Sequence, residues 1–334
     1  MKLLYINKNI NLSKPIINQL INMGFEVDVL IESLPSPIDN SSLVHRIKNI
    51  FYRLVLKDKT YFIKKEKQQF EKFAQKRLQN KKYDIAFFIR ADMYSEELVK
   101  KVRKQSKKMV SYQWDGLEMY PRIFDFYKYF DRKLVFDGND IRKFPQYNLL
   151  PLPIYHYTEN VFHDPEKEEI DLFYIGVGLD ERIQMSYNIE KYSEENGLKF
   201  KAILTVPEFR EEKKTESVSL QHKGISLEEN EEYTSKSKAV VDFKMDSHNG
   251  VAFRFFECLN QEQKFVSNNH NLKNYDFYHP DNIFITDFEN LDGLKEFLQK
   301  PYHKIDRKIV EKYGIKNWLN YALDYGNYET INLP

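Results

Sequence analysis

Arg254 and Glu257 stand three residues apart in an otherwise apolar stretch containing Val251, Phe253, Phe255, Phe256 and Leu259. On a helix this spacing puts both on one face. Burying ionisable groups is costly unless each finds a partner. Two readings account for the pair. In one, Arg254 and Glu257 form an internal ion pair. In the other, Glu257 accepts from two adjacent hydroxyls of a ligand diol, at roughly 1.5–3 kcal/mol per charge-assisted bond. The preceding residues read as a buried strand, Ala239–Phe243, and a polar loop ending in Asn249 and Gly250. A helix N-terminus here has free N–H groups and roughly half a positive charge, which suits an anion.

Two further segments could do chemistry. Tyr174–Arg182 reads as a strand running into Gly176-Val177-Gly178 and then a helix. A tight strand-to-helix turn explains the same residues, and Glu181 stands where a dinucleotide fingerprint has its third glycine. Ser111–Leu117 puts Trp114-Asp115-Gly116 at the end of another strand. Asp115 could act as a general base on an acceptor hydroxyl or orient it. It could equally close the strand with an Asx turn.

The elements that must position these residues alternate between strand and helix. Leu3–Ile6, Glu26–Ile31, Tyr83–Ile89, Met109–Gln113 and Lys133–Phe136 read as strands. Ser13–Met23, Tyr61–Gln79 and Ser95–Lys104 read as helices, and Leu34–Pro37 as a turn. Asn148–Tyr155, with Pro151 and Pro153, reads as a linker. The alternation then restarts with strands at Asp171–Ile175, Phe200–Val206, Ala239–Phe243, Lys264–Ser267 and Ile283–Thr286. Helices are expected at Glu181–Asn196, Glu229–Ser237, Val251–Leu259, Leu291–Gln299 and through Ile309–Tyr325. Such alternation implies parallel, doubly wound sheets. The 334 residues suit two domains of about 150.

Cys258 is the only cysteine, so there is no internal disulfide and no Cys-x-x-Cys site. The apolar run near the N-terminus is shorter than the roughly 7–15 residues of a secretory signal. No run approaches the ~20 of a membrane span. A cytoplasmic protein is expected, either soluble or peripheral on the inner face of the membrane. The net charge of +1 hides an asymmetry. Residues 1–150 carry 29 Lys/Arg against 17 Asp/Glu, and the remainder 22 against 33. The basic excess is concentrated in residues 46–82, which could meet an anionic membrane surface or a phosphorylated acceptor. A solvated helix surface is the plainer explanation. No Asp-x-Asp occurs, and the eight histidines lack metal-ligand spacing, so no metal is expected. No nucleic-acid partner forms part of this expectation.

Gly250, Arg254, Glu257 and Leu259, followed by Phe265-Val266-Ser267-Asn268-Asn269, resemble the donor-site motif of GT-B glycosyltransferases. The likeness is to bacterial capsule and lipopolysaccharide enzymes and to spore-maturation glycosyltransferase-like proteins. Trp114-Asp115, Tyr120-Pro121 and Phe136-Asp137 resemble the same enzymes. The resemblance implies an α/β fold of two Rossmann-like doubly wound domains facing across a cleft. It implies an acceptor domain at residues 1–152, a donor domain at 153–312, and a C-terminal helix at 313–334 packing back on the first. It implies a metal-independent, hexosyltransferase-type enzyme taking a nucleotide sugar as co-substrate and a glycan or lipid-linked acceptor. Glu257 would hold the ribose hydroxyls, Gly176, Gly178, Arg182, Asn249, Gly250 and Arg254 would complete the donor site, and Asp115 would be catalytic. Many retaining members carry Glu-x7-Glu, whose first Glu falls on Asn249 here. A neutral amide does not supply that charge, so retention does not follow. A nucleotide-sugar epimerase on the same fold and a non-catalytic binding protein are the alternatives.

Overall fold

Apolar strands and amphipathic helices assemble into two largely parallel sheets. A computed structural model describes residues 1–8, 10–31, 70–157, 163–244 and 250–334. The turn at Leu34–Pro37, residues 61–69 of the long helix, residues 46–69 of the basic run, and Asn249 lie outside the described residues.

The first sheet contains β1 (Lys2–Asn7), β2 (Glu26–Ile31), β3 (Tyr83–Ile89), β4 (Ser106–Gln113), β5 (Arg132–Val135) and β6 (Leu150–Pro151). Its order is β2-β1-β3-β4-β5-β6, with parallel neighbours throughout. Its helices are α1 (Ile10–Asn22), α2 (residues 70–77), α3 (Glu96–Gln105) and α4 (Gly138–Lys143). β3 is apolar at successive positions because helices and turns cover both faces of the sheet. Phe87 and Phe88 are fully buried on opposite faces, which stabilises the fold by about 2–3 kcal/mol each. Ser95 caps α3 by accepting from the Leu98 N–H at 3.2 Å, and Asp137 caps α4 by accepting from Asn139 at 2.9 Å. The linker expected over Asn148–Tyr155 is in part a strand: Leu150 and Pro151 pair with Leu134 and Val135. Proline is tolerated there because β6 is an edge strand.

The second sheet contains β7 (Ile170–Val177), β8 (Phe200–Thr205), β9 (Lys213–Lys214), β10 (Val218–Gln221), β11 (Ser237–Asp242), β12 (Lys264–Ser267) and β13 (Ile283–Ile285). Its order is β13-β12-β11-β7-β8-β10-β9, and only β9 pairs antiparallel. The β9–β10 hairpin was not expected. Its strands are short and β9 is wholly exposed, so no apolar pattern announces it. Its helices are α5 (Asp180–Asn196), α6 (Leu227–Ser235), α7 (Phe253–Gln261), α8 (Leu294–Gln299) and α9 (Arg307–Lys312). α5 stops at Gly197, whose φ of 66° is the left-handed conformation that glycine adopts without cost.

The tail expected as one helix is two, α9 and α10 (Ile315–Leu323). His156 separates them: its N–H donates to the Tyr313 carbonyl at 3.1 Å, and its carbonyl accepts from Ile315 at 3.0 Å. The chain divides into two units, Met1–Leu152 with Leu319–Asn327, and Pro153–Trp318 with Tyr328–Pro334. Within the first unit, Arg132 donates to the carbonyls of Tyr321 and Ala322, and Lys108 to that of Leu323. Cations on the last carbonyls of α10 satisfy groups that have no intrahelical partner.

Candidate functional site

Open α/β sheets bind ligands beyond the carboxyl ends of their strands, where the strand order reverses. In the second unit the chain runs outward from β7 through β8 and β10, then returns to place β11 on the other side of β7. The reversal therefore lies between β7 and β11. Gly176 belongs to the end of β7, Arg182 to the start of α5, and Asp242 ends β11.

Arg182 Nη2 donates to the Phe243 carbonyl at 3.1 Å. Its Nε–H is buried without a partner, and no described carboxylate pairs with it. Arg254 Nε lies 3.3 Å from Asp242 Oδ1, and its Nη1 donates to the Val241 carbonyl at 3.3 Å. The Arg254 guanidinium also lies 5.4 Å from the Tyr174 ring, which packs 4.2 Å from the ring of Phe243. Arg254 is thus held by β11, and the ion pair with Glu257 allowed by the sequence is not formed.

Glu257 accepts instead from the Tyr157 N–H at 3.4 Å. Burial pushes its carboxyl up to about 7, against the pull of that hydrogen bond. Asn260 Nδ2 fixes the same segment by donating to the Tyr157 carbonyl at 3.2 Å. α7 begins at Phe253, two residues later than expected. Ala252 precedes it in extended conformation and supplies no side-chain cap, and the Phe255 N–H donates to the Ala252 carbonyl at 3.1 Å. Asn268 Oδ1 accepts from the Lys244 N–H at 2.7 Å, and Asn269 Nδ2 donates to the Gly250 carbonyl at 3.3 Å. The two asparagines after β12 therefore bond to the backbone of Lys244 and of Gly250.

The glycines have packing reasons. A Cβ on Gly178 would meet Val206 Cγ1 at 2.6 Å, and one on Gly176 would meet the Tyr174 hydroxyl at 2.3 Å. The Gly178 N–H is committed to the Thr205 carbonyl at 2.8 Å. Close packing is thus one reason for a glycine at 178, and its amide is engaged within the unit.

At the corresponding edge of the first unit, Asp115 follows β4. Its side chain is 37% exposed and pairs through Oδ2 with Arg90. No Asx turn forms, because the Leu117 N–H donates to Asp140 Oδ2 at 3.1 Å instead. Burial pushes the Asp140 carboxyl up to about 6. Arg90 follows β3, the strand beside β1 at which this sheet reverses its order. It is buried and donates from Nε and Nη2 to the two oxygens of Asp92, both at 2.9 Å. Its guanidinium lies 3.7 Å from the Tyr120 ring centroid. The sequence reading missed Arg90. The available signal was an arginine directly after an apolar strand with an aspartate two residues on.

Among the described residues no group of three or more His, Cys, Asp or Glu could hold a metal ion. Cys258 is buried, and burial pushes its thiol up.

Neither a family model nor a curated protein matches the sequence. Solved structures do. A UDP-N-acetylglucosamine 2-epimerase matches with a TM-score of 0.56 at 8% identity, over 99% of this chain and 98% of the other. A trehalose-6-phosphate synthase matches at 0.56 and 12% identity, over 97% and 98%. The UDP-GlcNAc 2-epimerase of Methanocaldococcus jannaschii matches at 0.51 and 12%, over 98% and 100%. These likenesses establish the fold. The chain has the GT-B fold of two Rossmann-like α/β units, which nucleotide-sugar enzymes share.

Proposed function

We propose that the protein is a metal-independent glycosyltransferase that moves a sugar from a nucleotide-sugar donor to a hydroxyl of a glycan or lipid-linked acceptor. The observation that carries this reading is Arg182, whose guanidinium stands at the β7–β11 reversal with no carboxylate partner among the described residues. An unpaired cation at this position suits the diphosphate of the donor. Arg254 and the N-terminus of α7, which has no side-chain cap from Ala252, add to that pull. Glu257, once ionised, accepts from the two ribose hydroxyls. As the acceptor oxygen bonds to the sugar carbon, the bond to the diphosphate breaks and its electron pair leaves with the phosphate. Guanidinium groups stabilise that developing charge. The acceptor proton passes to Asp115.

The acceptors proposed are those of capsule or lipopolysaccharide assembly, at the inner face of the membrane. No described helix is long and apolar enough to cross one, and residues 46–82 would supply the cations for anionic headgroups.

Calorimetry with UDP and UDP-sugars tests the donor assignment. Glu257→Ala is expected to weaken binding by about 2–3 kcal/mol and to leave the fold intact. Unchanged affinity would sink it. Incubation with the donor alone separates the two enzyme readings, because an epimerase turns over without an acceptor.

A further inference from the structure

We propose that Arg90 is a positioning residue: it holds the Asp115 carboxylate in one orientation, so that the remaining oxygen receives the acceptor hydroxyl. The assignment rests on the transfer reading above and goes beyond it.

Charge compensation does not explain the Arg90–Asp115 contact. Asp92 already neutralises Arg90 through two parallel bonds of 2.9 Å, and both side chains are only 7% exposed. Adding Asp115 gives the group a net negative charge. What the third contact supplies is direction. The guanidinium is planar, and its fork fixes where each accepting oxygen must lie. Its own plane is set by Asp92 on one edge and by the Tyr120 ring 3.7 Å from its centre. Asp92 is fixed in turn, because Arg122 donates to its carbonyl at 2.8 Å and to that of Tyr94 at 3.0 Å. Only Oδ2 of Asp115 is engaged, and Oδ1 makes no hydrogen bond within the described residues.

The backbone points the same way. Arg90 is left-handed, with φ 56° and ψ 62°, a conformation that costs a side-chain-bearing residue free energy. It persists because the Arg90 N–H donates to the Tyr112 carbonyl at 3.0 Å, while the side chain is clamped as described. Strain of this kind concentrates where a side chain must be aimed. Here it turns the Arg90 side chain back across the end of β4, toward Asp115.

The test is a double-mutant cycle of Arg90→Lys and Asp115→Asn. The readout is UDP released from UDP-GlcNAc in the presence of simple glycosides, with UDP affinity measured by calorimetry as the control. Lysine keeps the charge and loses the fork. Asp115→Asn is expected to lower kcat about a hundredfold, the lower end for loss of a proton-accepting group. Arg90→Lys is expected to lower kcat by a smaller factor, to leave UDP affinity unchanged, and to have no further effect in the Asp115→Asn background. Losses that multiply in the double variant, or an Arg90→Lys protein as active as the parent, would overturn the role of Arg90. Should Arg90→Lys fail to fold, Tyr120→Leu removes the ring and hydroxyl beside the guanidinium and is read in the same way. A parent protein that binds UDP yet releases none from UDP-GlcNAc would overturn the transfer reading itself, and this inference with it.

Discussion

The two sheets carry guanidinium groups at matching places and use them differently. Arg90, at the reversal of the first sheet, is enclosed by Asp92 and Asp115. Arg182, at the reversal of the second, has no carboxylate partner among the described residues, although Arg254 beside it pairs with Asp242. The net charges of the two halves suggest the opposite. Residues 1–150 are strongly basic and the remainder acidic. An anion responds to the charges within about a Debye length, ~8–10 Å, so local pairing outweighs the total. On the proposed reading the acidic half therefore takes the diphosphate. At the edge of the basic half, an oriented carboxylate suits a hydroxyl.

Four measurements would break or sharpen this contrast. The largest expected effect is that of Asp115→Asn, about a hundredfold in turnover with UDP affinity unchanged. A loss of UDP affinity instead would erase the division of labour between the edges. Next is Arg182→Met, expected to cost about 1.5–3 kcal/mol of UDP binding in calorimetry. Its melting temperature should change little, because among the described residues the side chain bonds only to the Phe243 carbonyl and the Tyr174 hydroxyl. An unaltered affinity would remove the reason for placing the diphosphate there.

Gly178→Ala follows, with a destabilisation of about 1–3 kcal/mol in denaturant unfolding, since its Cβ would meet Val206 at 2.6 Å. A stable variant that had lost UDP binding would support the ligand role for this glycine. The smallest effect is in the pH dependence of Glu257. Its carboxyl is pushed up to about 7, chiefly by burial. Between the ordinary carboxyl range and that value, the folded state keeps a proton that the unfolded state has released. Stability then falls as pH rises through the window. Glu257→Gln lacks this dependence, so its melting temperature relative to the parent should climb from about pH 5 to about pH 8. UDP affinity of the parent should rise over the same window, because only the ionised carboxylate accepts from both ribose hydroxyls. Parallel melting curves would show that Glu257 is not desolvated.

Much of the fold was legible because burial writes itself into local pattern. β3 and β12 have the bounds that their apolar runs predict, and α5 begins one residue early and ends at its glycine. Edges were harder to see. β6 contains a proline and β9 consists of exposed lysines, so neither carries the alternation that marks a strand. The site was legible in part. Arg254 and Glu257 announced themselves as charged groups in apolar company, but their partners did not. Asp242 and Tyr157 lie on other elements, and nothing in the spacing of Arg254 and Glu257 says that each turns to one of those.

The sequence by itself determined the alternation of strands and helices, the two-unit α/β architecture, and which ionisable residues stand in apolar surroundings. These follow from local periodicity and from the cost of burying charge. Only the tertiary structure decided which charges are spent and which are spare. Arg90 and Arg182 look alike in one dimension, each an arginine shortly after a buried strand. Pairing is a matter of a few ångströms between residues far apart in the chain, and strand order sets those distances.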